Sequence, residues 1–407
     1  MNVMNSVNYE EDVKHSGLIQ GTIYVLYGLG PLTGNVILVL FGVLSIEFKV
    51  DPSALLIAIP AFMFPFAFIQ LFSGALSDVK GRFSVILFGL LIFGIGMFIG
   101  VISNSLILYL IANVLGGVGF GFVNPVLIAL LTDITPSSRV PERLGFLGAV
   151  AGLGIGFGPF IAGQMALIGW RYLYILFVII TILGFIIMFA LRGSIQKSNI
   201  KSSLNVFFQN ISREIRRVAV ILMILSAFLA SSSYLASIIW TSRGFTGVIP
   251  PNLAGIVLAF AGIAAAITGF LIGAIIQKKG ISIAIMLGLI LLFIGIVILN
   301  IIGTITPSLL IFTLIGLIFE GAAGGIFIPS IMYYSQTLSK ERRGALAGLA
   351  TMGQFVGIAL VPIMYEPLFN VGGIRTIYIL LIFPSILLLI FLILLYNKSR
   401  SSQSSAR

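Results

Sequence analysis

An all-α integral membrane fold of about twelve transmembrane helices, built as two six-helix pseudo-repeat bundles, is predicted by three observations on the sequence. Of 407 residues, 59% are hydrophobic and only 9% charged, against about 25% charged in an ordinary soluble domain. Apolar runs of bilayer-spanning length follow one another along the chain. Short motifs recur at a fixed offset of 199 residues, from Gly81 to Gly280, as an internal duplication requires.

The first six runs lie at about 18–44, 52–76, 84–102, 106–131, 145–168 and 172–191, each close to the ~20 apolar residues that a span needs. The second six lie at about 218–240, 252–276, 281–302, 308–334, 344–365 and 374–396. Residues 1–191 are therefore expected to form one bundle with a short tail, 192–217 a cytoplasmic linker, and 218–407 a second bundle with a short tail. The linker is rich in Lys, Arg, Ser, Asn and Gln. Within it Leu204, Phe207, Phe208, Ile211 and Ile215 recur at helical spacing opposite Arg213, Arg216 and Arg217, which suits either a helix lying on the membrane surface or a mobile tether. The first seventeen residues carry Glu10, Glu11, Asp12 and Lys14 and no apolar core, so a cytoplasmic tail is expected there in place of a cleavable signal.

The cations set the orientation, because cytoplasmic loops are enriched in Lys and Arg. With the N-terminus inside and an even number of spans, only Lys49, Arg171, Arg243 and Arg375 of the 23 basic residues fall on the outer side. Both termini are then cytoplasmic, in the plasma membrane, and Trp170, Tyr172 and Trp240 fall near the outer interface. The formal charge of +11 is spread over short loops, not clustered with aromatics on one soluble face, so no nucleic-acid partner is expected. With no cysteine and His15 the sole histidine, thiolate and conventional metal sites are excluded. Neither a phosphate-binding G-x-x-x-x-G-K-[ST] loop nor an H-E-x-x-H or G-x-S-x-G motif occurs, so neither an ATP-driven pump nor an enzyme is expected, and no cofactor.

The duplication is read from Gly74-Ala75-Leu76-Ser77-Asp78-Val79-Lys80-Gly81 set against Gly273-Ala274-Ile275-Ile276-Gln277-Lys278-Lys279-Gly280. At the same offset Arg143 meets Arg342, Gly154 meets Gly353 and Gly158 meets Gly357. Two related six-span halves are characteristic of secondary transporters, which expose a central site alternately to each side. The segment Gly74 to Arg82 resembles the cytoplasmic signature of the major facilitator superfamily, with Val79 where the family usually has a cation. By that resemblance Gly74, Asp78, Gly81 and Arg82 form a cytoplasmic latch favouring one access state. Gly154, Gly158, Pro159 and Gly163, followed by Trp170-Arg171, resemble the Gly-Pro motif of the fifth span in proton-coupled antiporters, with Ala162 replacing a usual glycine. The fourth span departs from the family pattern, since Asn113 stands where many proton-coupled members carry arginine.

Of the 12 acidic residues only Glu320 falls deep within a run, where an ionised acid costs about 2.5 to 3.5 kcal/mol on insertion scales. It is the leading candidate for proton coupling or for binding a cationic solute. No basic residue lies mid-membrane, so neutral or cationic cargo is favoured over anions. The resemblance implies that the first, fourth, seventh and tenth spans line a cavity, which brings in Tyr24, Tyr27, Asn35, Asn113, Asn124 and Tyr234 beside Glu320. A few polar groups on an apolar, aromatic wall suit an amphipathic organic molecule. The expected partners are a small-molecule substrate, protons and the lipid bilayer, with the chain acting as a monomer. Proton-coupled efflux leads, uptake of a neutral nutrient follows because of Asn113, and a non-transporting membrane sensor is the remote alternative.

Overall fold

In bilayer hydrocarbon every backbone N–H and C=O needs an internal partner, and a helix supplies it within one segment. A computed structural model describes residues 16–136, 138–193, 204–339 and 342–404, and these are almost wholly helical. The tail before Ser16, including His15, and the linker residues 194–203 lie outside the described residues. The first half holds α1 (Ser16–Asn35), α2 (Ile37–Phe48), α3 (Ala58–Lys80), α4 (Arg82–Ile102), α5 (Leu106–Asp133), α6 (Val140–Met165) and α7 (Arg171–Ala190). After α8 (Leu204–Glu214) come α9 (Val218–Phe245), α10 (Pro251–Lys279), α11 (Ile281–Ile302), α12 (Leu310–Thr337), α13 (Arg343–Leu380) and α14 (Ile382–Ser404).

Among the described residues ten helices are long and apolar enough to cross a membrane, and the bent pair α1 and α2 makes an eleventh crossing. The last apolar stretch, Gly344–Leu394, is 51 residues long, about 75 Å of helix at ~1.5 Å per residue. One crossing needs about 30 Å, and Gly373 interrupts the stretch with φ 62° and ψ −159°, so it supplies two. The expected first span is not one rod: it bends by 52° between α1 and α2, because Pro31 lies in the last turns of α1 and cannot donate to the preceding turn.

The duplication is visible in the helix limits. The span Pro52–Lys80, which opens with a 3-10 turn, and α10 at Pro251–Lys279 begin and end 199 residues apart. Their closing glycines share one backbone turn, Gly81 at φ 93°, ψ 141° and Gly280 at φ 84°, ψ 160°. In the first half α5 packs on α3 and α4, α4 on α7, and α1 on α6; in the second, α12 packs on α9, α10 and α11, and α9 on α13 and α14. Two seams join the halves, α6 with α10 and α3 with α13, and the 199-residue offset carries each seam onto the other. Large apolar side chains such as Phe270, Ile301 and Ile107 are exposed by 72%, 80% and 73%, as a lipid-facing surface requires and a water-facing one would not tolerate.

Trp170 and Trp240 are only 3% and 0% exposed, so they are packing residues more than interfacial anchors. The Trp170 indole donates to Glu47, and Trp240 stacks near Phe369 with ring centres 4.9 Å apart. Tyr172 is 57% exposed.

Candidate functional site

The α6–α10 seam is close-packed at one end and open at the other. Glycine permits this approach: a methyl on Gly156 would meet the Ala259 carbonyl oxygen at 2.9 Å, and Gly163 lies against Pro251 and Asn252. Toward the α3–α4 turn the packing ends, and a side chain at Gly145, Gly148 or Gly273 would meet nothing within 4 Å. The opposite end is sealed across the halves. Ser242 of α9 donates to the Leu38 carbonyl, and Arg243 reaches the Ser53 hydroxyl at 3.1 Å and the Asp51 carboxylate at 3.8 Å.

A cavity of about 200 Å³ lies along this seam, with walls from α1, α2, α6, α9, α10 and α12. Its lining contains no Asp, Glu, Lys or Arg. The polar side chains on it are Tyr27, Asn35 and Tyr234. Asn35 ends α1, its amide donating to the Pro31 carbonyl at 2.6 Å; the bend of the first span thus places it on the wall. Tyr234 is held against Gly324 of α12.

The other expected site residues stand elsewhere. Tyr24 is packed edge-on against Phe146, with ring centres 4.6 Å apart, and is not part of the lining. Asn113 donates to the Tyr109 carbonyl at 2.8 Å, beside the hydrogen-bonded pair Tyr109 and Tyr174, and it and Asn124 are also outside the lining. Glu320 is fully buried and outside the cavity lining, packed against Gly295 of α11 and near Ser237. The Ser237 hydroxyl is given to the Tyr234 carbonyl at 2.7 Å, which leaves both Glu320 oxygens without a hydrogen-bond partner.

In the expected latch, Arg82 bonds Asp78 at 2.5 Å and Asp133 at 2.9 Å, and also the Ser77 hydroxyl at 2.6 Å. These contacts stay within the first half and fix the α3–α4 turn on the end of α5. Gly74 faces open space, with nothing within 4 Å of where a side chain would begin. Of the fifth-span glycines, Gly154 and Gly158 lie on the Gly28 and Leu32 backbone of α1, and Gly163 on α10.

Two groups escaped the sequence reading. Glu214, wholly buried, receives Arg217 at 2.5 Å and also Arg342, which ties α8 to the start of α13. The Arg243–Asp51 contact joins the last turn of α9 to the residue before Pro52. No local spacing signals the Glu214–Arg342 or the Arg243–Asp51 contact, because each joins segments more than a hundred residues apart.

A rocking-bundle architecture with an uncharged central cavity is a transporter arrangement, and the model of the Major Facilitator Superfamily matches residues 23–362 and again 249–407. The chain belongs to the major facilitator superfamily. Relatives of this major facilitator protein include Quinolone resistance protein NorA of Staphylococcus aureus, 29% identical over 140 residues. That match spans 34% of this chain and 36% of the relative's length. Multidrug resistance protein 2 of Bacillus subtilis is 24% identical over 314 residues, 72% of this chain and 76% of the relative. Among solved structures, the nucleoside transporter NupG (D323A mutant) superposes with a TM-score of 0.74 at 14% identity, over 92% of this chain and 99% of that one. A POT family transporter in complex with 5-aminolevulinic acid gives 0.75 at 10% identity, over 93% and 96%. These two likenesses concern the fold alone. The chain is thus a multi-span membrane protein of this superfamily.

Proposed function

We propose that this transporter exports a small neutral or cationic amphipathic solute in exchange for protons, by alternating access between a first unit, 1–191, and a second, 218–407, linked by 192–217. We place it in the plasma membrane with both termini cytoplasmic, acting as a monomer. The observation that carries the reading is the uncharged cavity on the seam, sealed at the Arg243–Asp51 end and free at the α3–α4 end. With no fixed cation an anion finds no counter-charge there, whereas tyrosine rings and a carboxamide accept neutral and cationic groups alike. The partial matches to drug-resistance proteins agree with efflux. Glu320 is assigned the coupling proton: an unpartnered ionised acid at such a depth costs several kcal/mol, so loss of its proton requires α12 to move, and α12 is also a cavity wall. The Asp78–Arg82–Asp133 cluster is assigned the latch. Uptake of a neutral nutrient is the second reading, favoured by Asn113, whose amide is spent on the Tyr109 carbonyl where an arginine would tune a carboxylate.

Reconstitution in liposomes with an imposed pH gradient tests this. Inside-acidic vesicles are expected to accumulate a lipophilic cationic dye, and Glu320→Gln is expected to abolish the gradient dependence while dye binding persists. Accumulation that survives Glu320→Gln unchanged removes the coupling role from Glu320. Counterflow of a neutral sugar without proton movement overturns antiport.

A further inference from the structure

We propose that the cavity recognises the N–H groups of a protonated primary or secondary amine through backbone carbonyls released by three prolines, so that hydrogen-bond donors as well as charge select the solute. The inference rests on the transport reading above, because it takes the seam cavity as the substrate site.

A proline inside a helix has no N–H for the carbonyl four residues earlier. Pro31, Pro159 and Pro329 lie inside α1, α6 and α12, and the carbonyls they release belong to Tyr27, Ile155 and Gly325. All three of these residues line the cavity, as do Pro159 and Pro329 themselves. Residues four apart share one helix face; the Ile155 and Gly325 carbonyl groups lie beside Gly262 and Gly269 of α10, which are themselves in the lining. In α1 the same face continues to Asn35, also on the wall. Its amide N–H₂ serves the Pro31 carbonyl, leaving the side-chain oxygen as a further acceptor.

Pro125 of α5 supplies the contrast. It lies outside the cavity lining, and the carbonyl it releases, on Gly121, receives the buried Ser73 hydroxyl at 2.8 Å. Among the described residues no side chain donates to the carbonyls of Tyr27, Ile155 or Gly325. Away from the cavity such carbonyls are not always served, since Pro362 of α13 releases that of buried Ile358, to which no described side chain donates; the three unserved carbonyls of Tyr27, Ile155 and Gly325 differ in belonging to residues that line the cavity. Burying such a group without a donor is unfavourable, a cost that a ligand carrying N–H groups recovers and a ligand without them does not. The cavity volume, about 200 Å³, is below the ~300–1,000 Å³ of sites that enclose drug-sized molecules. It suits an ammonium headgroup, with the apolar tail running along the seam.

The test is equilibrium binding to the full-length protein in lipid nanodiscs at neutral pH. The probes are radiolabelled phenylhexylammonium, protonated at this pH as a lysine amine is, and its N,N,N-trimethyl counterpart. Both carry one positive charge for the tyrosine rings, and only the first has N–H donors. The primary ammonium is expected to bind about tenfold tighter, the ratio for roughly one buried carbonyl left unserved. Pro31→Ala, Pro159→Ala and Pro329→Ala, each restoring a backbone N–H, are expected to narrow that ratio to about threefold or less, whereas Pro125→Ala leaves it unchanged. Equal affinities in the natural protein, or a ratio untouched by all three substitutions, overturns the proposal while the transport reading stands. Failure of both probes to bind, together with no dye transport in liposomes, overturns the transport reading and this inference with it.

Discussion

Gly81 closes α3 at φ 93° and ψ 141°, a conformation that a side chain disfavours, and its N–H caps the Ser77 carbonyl at 2.9 Å. Arg82 follows at once and takes its position on Asp78 and Asp133 from that turn. Gly81→Ala is therefore expected to cost about 1 to 2 kcal/mol and to lower the thermal unfolding midpoint in detergent; an unchanged midpoint would remove the glycine from the account of the turn. The sequence made this glycine legible through its repeat at Gly280. It was less informative about which way a polar side chain faces. Tyr27, Asn35 and Tyr234 reach the cavity, whereas Tyr24, Asn113 and Asn124 do not. In lipid both the packed and the exposed sides of a span are apolar, so periodicity does not separate them as it does in water. Glu320 shows the same limit: its depth was evident from its surroundings in the chain, and its place outside the cavity lining, against Gly295 of α11, depends on packing.

At the scale of the element, α8 shows how the linker is anchored. Phe208 packs toward Phe72 of α3, with ring centres 6.3 Å apart, and Glu214 binds Arg217 and Arg342, so one short helix touches both halves. Burial pushes the Glu214 carboxyl up, but the hydrogen bonds and charges of Arg217 and Arg342 outweigh it and hold the group below its ordinary range. A group lowered in this way contributes stability that is complete above the ordinary carboxylate range and is lost as pH falls through the lowered folded value. Hydrogen exchange in α8 is expected to be flat with pH around neutrality, once corrected for intrinsic rates, and to rise below about pH 4. Arg342→Ala is expected to bring faster exchange at neutral pH, at a cost of about 1 to 3 kcal/mol. Exchange in α8 unaffected by Arg342→Ala would detach the helix from this pair. The spacing of Leu204, Phe207, Phe208 and Ile211 left a helix and a mobile tether equally open, and the structure has the helix. Its attachment was not legible, since Glu214 and Arg342 lie 128 residues apart and look like ordinary loop charges.

For the whole molecule, the duplication accounts for the most structure from the fewest residues. The offset read from Gly81 and Gly280 reproduces the helix limits Pro52–Lys80 and Pro251–Lys279 and exchanges the two seams, and this approximate twofold relation makes rocking about a central cavity available. The cavity is sealed by Ser242 and Arg243 at one end and free beyond Gly148 at the other, which is one of the two states that such rocking needs. The protein contains no cysteine, so spin labels go only where they are placed. Lys49→Cys with Val248→Cys spans the sealed end, and Val79→Cys with Lys278→Cys spans the open end. Pulsed electron–electron distance measurement on both pairs in nanodiscs, before and after lowering the pH and adding phenylhexylammonium, tests alternating access directly: the 79–278 distance is expected to shorten as the 49–248 distance lengthens, and two distances that move in the same direction, or stay fixed under both changes, would contradict it.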